Sequence, residues 1–154
     1  MARKPRVRPL ALCIFQRDDA IFVAEGRDEV KDETFYRPLG GRIEFCEYAA
    51  DTVRRELMEE IGAEVRDLQY LGTLENIFTY QGEPGHELVL MFEGTFCDER
   101  LYDADRITDA YSNGELLFHA MWKPLSGFRT GATPLYPLGL LELLDRVSTP
   151  AAKE

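Results

Sequence analysis

The sequence predicts an α/β domain in which a mixed β-sheet is packed between helices. The length of 154 residues fits a single domain with its own core, and 45% hydrophobic and 30% charged residues are typical of globular proteins. Strand-like segments lie on both sides of one amphipathic helix, and a second amphipathic helix lies near the C-terminus. We therefore expect one domain over residues 1–154, with a basic N-terminal tail at 1–7 and a C-terminal tail at 148–154.

The N-terminal part of the chain is predicted to form strands, because apolar runs alternate with turn residues. Its strand-like segments are 8–17, 20–25 and 35–39, and its connecting segments are a turn at 18–19 and a polar loop at 29–34. Gly40 and Gly41 follow the third segment, and we expect them to break the chain there.

Residues 48–61 are predicted to form a helix. Ala50, Val53, Leu57 and Ile61 recur at spacings of three and four residues, which gives one apolar stripe. Gly62 is predicted to end the helix.

The C-terminal half is predicted to add further strands and the second helix. The strand-like segments are 65–76, 77–81, 87–97 and 115–124, the turn is 82–85, the loops are 98–114 and 127–134, and the helix is 138–147.

The charge of the chain argues against a nucleic-acid-binding surface. Eighteen basic and 28 acidic residues give a net charge of −10. Four basic residues lie near the N-terminus, where we expect a solvated tail: Arg3, Lys4, Arg6 and Arg8. The rest of the chain therefore has 14 basic and 28 acidic residues, a net charge of −14. Since a polyphosphate backbone requires a basic surface, we expect no nucleic-acid duplex as partner.

Other functional classes are disfavoured by what the sequence lacks. No segment approaches the ~20 apolar residues of a membrane-spanning helix, so no membrane partner is expected. Cys13, Cys46 and Cys97 form no CxxC pair and are predicted to be reduced thiols of a cytoplasmic protein. His86 and His119 lack the spacing of zinc ligands.

Three glutamates are predicted to lie together on the first helix. At about 100° per residue, Glu56 and Glu60 are about 40° apart around the helix axis, and Glu56 and Glu59 about 60° apart. Like charges at these spacings repel one another, and the end of a helix disfavours anions. The pattern has two interpretations: a solvated acidic face paired with Arg54 and Arg55, or a site for Mg²⁺ or Mn²⁺, which prefer carboxylate oxygens.

The segment 41–63 decides between these interpretations, because it resembles the Nudix box. That motif is a glycine, five residues, a glutamate, seven residues, then Arg-Glu, an apolar residue, any residue, Glu-Glu, any residue, glycine and an apolar residue. Its seven fixed polar or glycine positions all match: Gly41, Glu47, Arg55, Glu56, Glu59, Glu60 and Gly62. Leu57 fits the first apolar position, and Ala63 is smaller than the usual final residue. Such a match is expected by chance on the order of once in 10⁸ placements.

The resemblance to the Nudix hydrolase family implies a fold, a reaction and a set of site residues. The fold is an α/β/α sandwich around a mixed sheet, and the reaction is metal-dependent hydrolysis of a nucleoside diphosphate linked to another moiety. Glu56, Glu59 and Glu60 would bind Mg²⁺ or Mn²⁺, with the carbonyl of Gly41 as a further contact. Glu47 and Arg55 would stabilise the loop and helix at the catalytic site. The base that activates water is either Glu56 or an acidic residue between Asp98 and Glu115.

Candidate substrate contacts lie outside the box. Arg27 and Arg37 flank the loop before it and are candidates for binding phosphate or for solvating that loop. Tyr80 follows Ala63 by 17 residues, a spacing similar to that of a tyrosine in diadenosine polyphosphate hydrolases of the family. Four aromatic residues border the expected cleft and are assigned to the core, with stacking on a base as the alternative: Phe35, Tyr36, Phe78 and Tyr80. Glu75 and Glu87 are predicted to be surface residues.

Two other functions remain as alternatives. A catalytically silent Nudix-fold sensor would bind a nucleotide, but such domains usually lack box glutamates that are present here. A Nudix-fold isomerase would need a reactive cysteine, and Cys46 has no evident partner. Homodimers are common in the family, so the resemblance leaves both a monomer and a homodimer open.

Overall fold

The computed structural model describes residues 4–103 and 107–148. Residues 1–3 of the predicted N-terminal tail and 149–154 of the predicted C-terminal tail therefore lie outside the described residues. The elements are strands β1 (Arg8–Ile14), β2 (Gln16–Arg17), β3 (Ala20–Asp28), β4 (Glu33–Arg42), β5 (Val65–Tyr80), β6 (Glu83–Phe96), β7 (Thr108–Ser112) and β8 (Glu115–Pro124), helices α1 (Ala49–Ile61), α2 (Leu125–Arg129) and α3 (Leu140–Ser148), and a 3₁₀ helix, Glu99–Tyr102.

The strands form one mixed sheet in the order β5-β6-β1-β4-β3-β8-β7, with β2 paired to β3. Strands β1 and β6 are parallel, whereas the other pairs among the described strands are antiparallel. Strand β4 is shared by the two halves of the sheet. Its end pairs with β1, with Leu39 opposite Cys13, and its beginning pairs with β3, with Glu33 opposite Asp28.

Helices cover both faces of the sheet, which confirms the predicted α/β/α arrangement. Alternate residues of β1 point to opposite faces, as the period of two in a strand requires. One face packs under α1 in a cluster that includes Ala11, Cys13, Phe15, Val53 and Leu57. The other face packs against α3 in a cluster that includes Leu10, Leu12, Ile14, Leu140 and Leu143. Burial on both faces explains why β1 is a continuous apolar run.

Gly40 and Gly41 lie inside β4, so the prediction that they break the chain is wrong. Gly40 pairs with Leu12, and Gly41 pairs with Ala11. The backbone of Gly40 has a φ of +145°, and a Cβ there would lie 2.1 Å from the carbonyl oxygen of Ala11. The glycines therefore allow β4 to approach β1 closely instead of ending the strand.

The remaining differences from the predicted elements are local. Strand β5 is one strand of 16 residues and not two. The turn after it is confined to Gln81 and Gly82, because Pro84 and Gly85 already pair within β6. Strand β7 lies in the segment 98–114, which was predicted to be a loop because it is polar, and helix α2 overlaps the start of the predicted loop 127–134.

Replacing Gly40 by alanine tests the close approach of β4 to β1. We expect Gly40→Ala to lower the free energy of unfolding by about 3 kcal/mol or more, because it adds a backbone clash to an unfavourable φ. Gly82→Ala is the matched control: its φ of +80° is also positive, but no atom lies within 4 Å of the added Cβ. That variant should lose only about 1 kcal/mol. Denaturant unfolding measures both, and equal losses would contradict the steric account.

Candidate active site

Helix α1 holds the three box glutamates beside strand β4. Val53 and Leu57 are fully buried and anchor one face of the helix in the core. Gly62 ends the helix with a φ of 64°, and its N–H donates to the carbonyl of Met58. This left-handed cap satisfies a carbonyl that the end of a helix would otherwise leave free. The predicted helix and its predicted end are both confirmed.

The guanidinium of Arg55 connects the loop before the helix to the helix itself. It donates to both carboxylate oxygens of Glu47, from Nε at 2.8 Å and from Nη2 at 2.9 Å. Nη1 donates to Glu56 at 2.9 Å and to Glu59 at 3.3 Å. Nη2 also donates to the carbonyl of Arg42 at 3.1 Å. The planar fork of arginine suits this bidentate contact, so Arg55 fixes the loop relative to two glutamates.

Glu47 is held as an anion in this arrangement. Hydrogen bonds from the Arg55 guanidinium, and after them one from the Thr52 hydroxyl at 2.6 Å, lower the pKa of Glu47 to about 2. The backbone N–H of Glu44 also donates to it at 3.3 Å. The hydrogen bonds of Glu47 to the protein therefore keep it ionised, and it is unsuited to accept a proton during a reaction at neutral pH.

Gly41 provides the space for the carboxylate of Glu56. A Cβ at Gly41 would lie 2.3 Å from the carboxylate carbon of Glu56, closer than any real contact. The Glu56 carboxylate therefore lies directly against the backbone of β4, with its side chain 16% exposed. Any residue other than glycine at this position would displace it.

Glu60 is the carboxylate least well satisfied by the protein. Its Oε2 atom is buried and has no hydrogen-bond partner among the described residues. Burial first, and then the neighbouring carboxylate of Glu56, raise the pKa of Glu60 to about 8, while the charge of Arg37 opposes this shift. Two adjacent carboxylates in a partly buried site require either a shared proton or a cation.

The pair of Glu56 and Glu60 fits a hard divalent cation, because it offers an unpartnered carboxylate oxygen beside a second carboxylate. Glu59 is not part of this pair: its side chain is 58% exposed and contacts Arg55. Within residues 4–103 and 107–148, no three acidic, histidine or cysteine side chains converge as a metal site would require. Glu59 could join the pair by a rotamer change, which exposed side chains make freely.

A cavity of about 490 Å³ opens beside Glu60 and Arg37. Its volume lies in the range of ligand-binding pockets. Strand β1 contributes Leu10 and Leu12 to its wall, and β6 contributes Val89. Four aromatic residues also line it: Phe35, Phe78, Tyr80 and Tyr136. The cavity thus joins a carboxylate-rich end to apolar and aromatic walls.

A family model for the NUDIX domain matches residues 4–123 of the chain. The chain belongs to the NUDIX domain family. The family predicted from the box is thereby confirmed.

Similar proteins carry related names. An NAD-capped RNA hydrolase NudC from Pseudomonas syringae pv. tomato is 33% identical over 69 residues, which are 45% of this chain and 24% of that protein. The NudC of Pseudomonas putida is 32% identical over 107 residues, 69% of this chain and 36% of that protein. The chain thus spans about a quarter to a third of the length of these relatives. The solved structure of a NUDIX hydrolase from Nitrosomonas europaea superimposes with a TM-score of 0.63 at 19% identity, covering 94% of this chain and 88% of that one.

Two of the three predicted substrate contacts line the cavity, and the third does not. Arg37 and Tyr80 line the cavity, and the Tyr80 ring packs edge-on against Phe35 with centroids 6.0 Å apart. Arg27 does not line it; this residue forms ion pairs with Asp32 and with Glu29 at the tip of the β3–β4 hairpin.

The acidic residues between Asp98 and Glu115 were the other candidates for the base. None of those that the structure describes lines the cavity. Asp98 is bound to Arg100, and Asp109 contacts the His119 ring at 2.6 Å on the β7–β8 hairpin. Glu56 does not line the cavity either, but its carboxylate neighbours that of Glu60, which does, so Glu56 stays the candidate base.

The tips of two hairpins meet at the cavity. Asp28 lines it and accepts hydrogen bonds from the backbone N–H groups of Val30 and Lys31 in its own hairpin. It also accepts one from the N–H of Gln81 at 3.1 Å, at the tip of the β5–β6 hairpin. These donors, Lys31 first, lower the pKa of Asp28. The connection holds the β5–β6 hairpin, which carries Tyr80, against the β3–β4 hairpin.

Sequence reasoning missed a buried polar group in the cavity wall. Glu87 was predicted to lie on the surface, but it is only 5% exposed and lines the cavity with Asn76. Arg8, assigned to the solvated tail, begins β1 and pairs with Glu87 at 3.5 Å. A signal existed in the sequence: Glu87 is in phase with Val89 and Met91, both buried, so the alternation places it on the inner face.

Proposed function

We propose that this chain is a metal-dependent pyrophosphohydrolase that cleaves a nucleoside diphosphate linked to another moiety. The observation that supports it most strongly is the buried oxygen of Glu60, which lies beside Glu56 in the wall of the aromatic-lined cavity and has no hydrogen-bond partner among the described residues. The carboxylates offer a cation site, and the cavity offers a place for the nucleoside. Membership of the Nudix family supports the same reaction class.

Glu56, Glu59 and Glu60 would hold Mg²⁺ or Mn²⁺, with the carbonyl of Gly41 as a further contact. A divalent ion bound there compensates the charge of the pyrophosphate, which a chain with a net charge of −10 does not do by itself. Arg55 keeps Glu56 in place through its 2.9 Å hydrogen bond, and Glu47 keeps Arg55 in place.

The side chains around the cavity assign the remaining roles. Arg37 provides a cation beside Glu60 and is the candidate for binding a substrate phosphate. Water attacks one phosphorus in line, the bond from that phosphorus to the bridging oxygen breaks, and the other phosphate leaves. Glu56 is our candidate for accepting the proton of the attacking water, because Glu47 is bound to Arg55 as an anion.

The substrate is expected to be a small molecule. NAD, the cap on the RNA named in the relatives, belongs to the proposed class because its two nucleosides are joined through a pyrophosphate. The RNA part of a capped RNA would find little basic surface on a chain of this charge.

None of the helices in the described part of the chain has the length and apolar character that crossing a membrane requires. The cytoplasmic location and the optional homodimer stay predictions.

A substrate screen tests the proposal. Nucleoside triphosphates, dinucleoside polyphosphates, nucleotide sugars and NAD would be incubated with Mg²⁺ or Mn²⁺, and the products separated and identified. We expect cleavage within the pyrophosphate of at least one class. Nucleotide binding without hydrolysis of any compound would favour the alternative, a catalytically silent sensor domain.

Arg55→Ala tests whether Arg55 positions the glutamates. We expect turnover to fall by roughly 10- to 100-fold, as for other residues that orient metal ligands, while nucleotide affinity changes less. Stability should also fall. Hydrogen bonds from Arg55 first, and then from Thr52, lower the pKa of Glu47 from 4.5 to about 2, so the part that Arg55 contributes is present above pH 4.5 and is lost as the pH falls towards 2. The stability gap between wild type and variant should therefore narrow over that range.

Arg54→Ala is the matched control, because Arg54 contacts only the exposed Asp51 among the ion pairs described. It should leave both turnover and the pH dependence near those of wild type. A large loss of nucleotide affinity in Arg55→Ala with intact turnover would contradict the positioning role.

A further inference from the structure

The buried pair of Asn76 and Glu87 has no role in the proposed reaction. Asn76 on β5 and Glu87 on β6 are register partners, so their side chains lie side by side on one face of the sheet. Each residue is 5% exposed, and both line the cavity. Buried polar groups are costly unless they have hydrogen-bond partners, so this pair calls for an explanation.

Glu87 has weaker donors than the other carboxylates of the cavity wall that have partners. Those carboxylates accept hydrogen bonds at ordinary distances: Asp28 from Lys31 N at 3.0 Å, Glu25 from the Tyr36 hydroxyl at 2.8 Å and Glu33 from the Tyr136 hydroxyl at 3.2 Å. From the residues that the structure describes, Glu87 accepts two long ones, from Asn76 Nδ2 at 3.4 Å and from Arg8 Nη2 at 3.5 Å. Each carboxylate oxygen has a further lone pair, so Glu87 retains acceptor capacity inside the cavity.

Asn76 presents its amide in a defined orientation. Its Oδ1 accepts from the backbone N–H of Leu138 at 3.4 Å, and its Nδ2 donates to Glu87. The second N–H of Nδ2 is left for another acceptor. The pair thus combines one amide donor with two carboxylate acceptor oxygens.

An aromatic surface adjoins this polar pair. Phe78 and Gly85 are the next register pair on the same face, two residues along each strand. A Cβ at Gly85 would lie 2.3 Å from the Phe78 ring, so the ring occupies the space above the glycine. On β4, Phe35 covers Gly26 in the same way. Both rings line the cavity and offer a face on which a planar heterocycle can stack.

Charge sets the orientation of a nucleotide in this cavity. Arg37 and Glu60 mark the end proposed to take the phosphates and the cation. Glu87 places a carboxylate at the polar-pair end, where the Arg8 guanidinium lies 3.5 Å from it and offsets part of its charge, and a carboxylate repels phosphate. The nucleobase therefore lies towards Glu87 and Asn76, and the phosphates lie towards Glu60.

We infer that Glu87 and Asn76 recognise the Watson–Crick edge of a guanine-type base, an inference that rests on the proposed function. Guanine presents two adjacent N–H donors, N1–H and the 2-amino group, to the two oxygens of a carboxylate, and its O6 accepts from an amide N–H. Adenine and cytosine present an acceptor nitrogen beside their amino group, and uracil presents one N–H between two carbonyls. Those acceptors face the carboxylate unfavourably.

Guanosine and inosine 5′-monophosphates provide the test, because they differ only in the 2-amino group and contain no anhydride bond to hydrolyse. Calorimetry would measure the binding of each to wild type, Glu87→Gln and Glu75→Gln. Glu75 is the matched control, since it is exposed and neighbours Asn76 on the same strand. Wild type and Glu75→Gln should prefer guanosine monophosphate by roughly 10- to 100-fold, and Glu87→Gln should lose most of that preference. A role of Glu87 in folding alone would not change this ratio.

Several outcomes would overturn the inference. They are equal binding of the two monophosphates by wild type, tighter binding of adenosine or cytidine monophosphate, and an unchanged preference in folded Glu87→Gln. The wild-type comparison alone decides the matter if that variant does not fold. Hydrolysis of nucleotides without a guanine preference would refute base recognition but leave the proposed function intact. Preferential binding that depends on Glu87, without hydrolysis of any nucleotide, would refute the function and leave base recognition intact.

Discussion

We expect turnover to fall by at least ~10³-fold in excess chelator and to return when Mg²⁺ or Mn²⁺ is added. A bound cation typically contributes several kcal/mol to the stabilisation of a phosphoryl transition state, and each 1.36 kcal/mol is a factor of ten in rate. The side chains near Glu60 offer no equivalent charge: Arg55 is bound to three glutamates, and Arg37 is a single positive charge that lines the cavity with Glu60. The measurement is the initial rate on the best substrate of the screen before and after chelation.

Thermal unfolding gives this prediction a readout that is independent of activity. A ligand that binds only the folded state at 100 times its Kd stabilises the protein by about 2.7 kcal/mol. The midpoint of unfolding should therefore rise with Mg²⁺ or Mn²⁺ in wild type. Wild-type activity in chelator, with a midpoint that does not respond to the metal, would show that the box glutamates do not act through a cation.

Glu56→Gln should lower turnover by ~10² or more while the protein remains folded. Glutamine is nearly the same size, so it fits against Gly41, but it lacks the charge and the basicity of the carboxylate. Such a group acts more strongly in the transition state than in the ground state, and the loss of one preorganised electrostatic group has effects of this size. Without metal, stability should change little, because the lost repulsion with Glu60 offsets the weaker contact with Arg55.

Glu64→Gln is the matched control for Glu56→Gln. Glu64 is exposed just after the same helix, so its substitution removes the same charge outside the site. Its turnover should stay near that of wild type. Near wild-type turnover in Glu56→Gln, Glu59→Gln and Glu60→Gln alike would exclude catalysis at this helix and leave the sensor hypothesis.

The parts of the fold that follow a local pattern were predictable. Helix α1 was found from its apolar stripe and its glycine cap, and β1 from a run buried on both faces. The errors arose where distant pairing determines the conformation. Gly40 resembles a breaker in sequence, but its lack of a Cβ serves the approach of Ala11, which lies about thirty residues earlier in the chain. Strand β7 is polar and short, and only its pairing with β8 makes it a strand.

The residues of the candidate site could be predicted from the sequence, but their arrangement in space could not. The box spacing identified the glutamates. The angles between them around the helix axis placed all three on one face and predicted no difference in their burial or contacts. In the structure Glu56 is bound to Arg55, Glu60 has one buried oxygen without a hydrogen-bond partner among the described residues, and Glu59 is exposed. The polar pair of Asn76 and Glu87 was missed because a single glutamate in a strand is usually at the surface. Its burial depends on the pairing of β5 with β6.

The affinity for Mn²⁺ of wild type, Glu56→Gln and Glu60→Gln tests whether helix α1 holds the metal site. Free Mn²⁺ would be followed by electron paramagnetic resonance during titration of each protein, with Glu64→Gln as the control. The account predicts saturable binding in wild type and in the control, and binding roughly tenfold weaker or more in both box variants. Equal Mn²⁺ affinity in all four proteins would contradict the assignment of the metal site to helix α1.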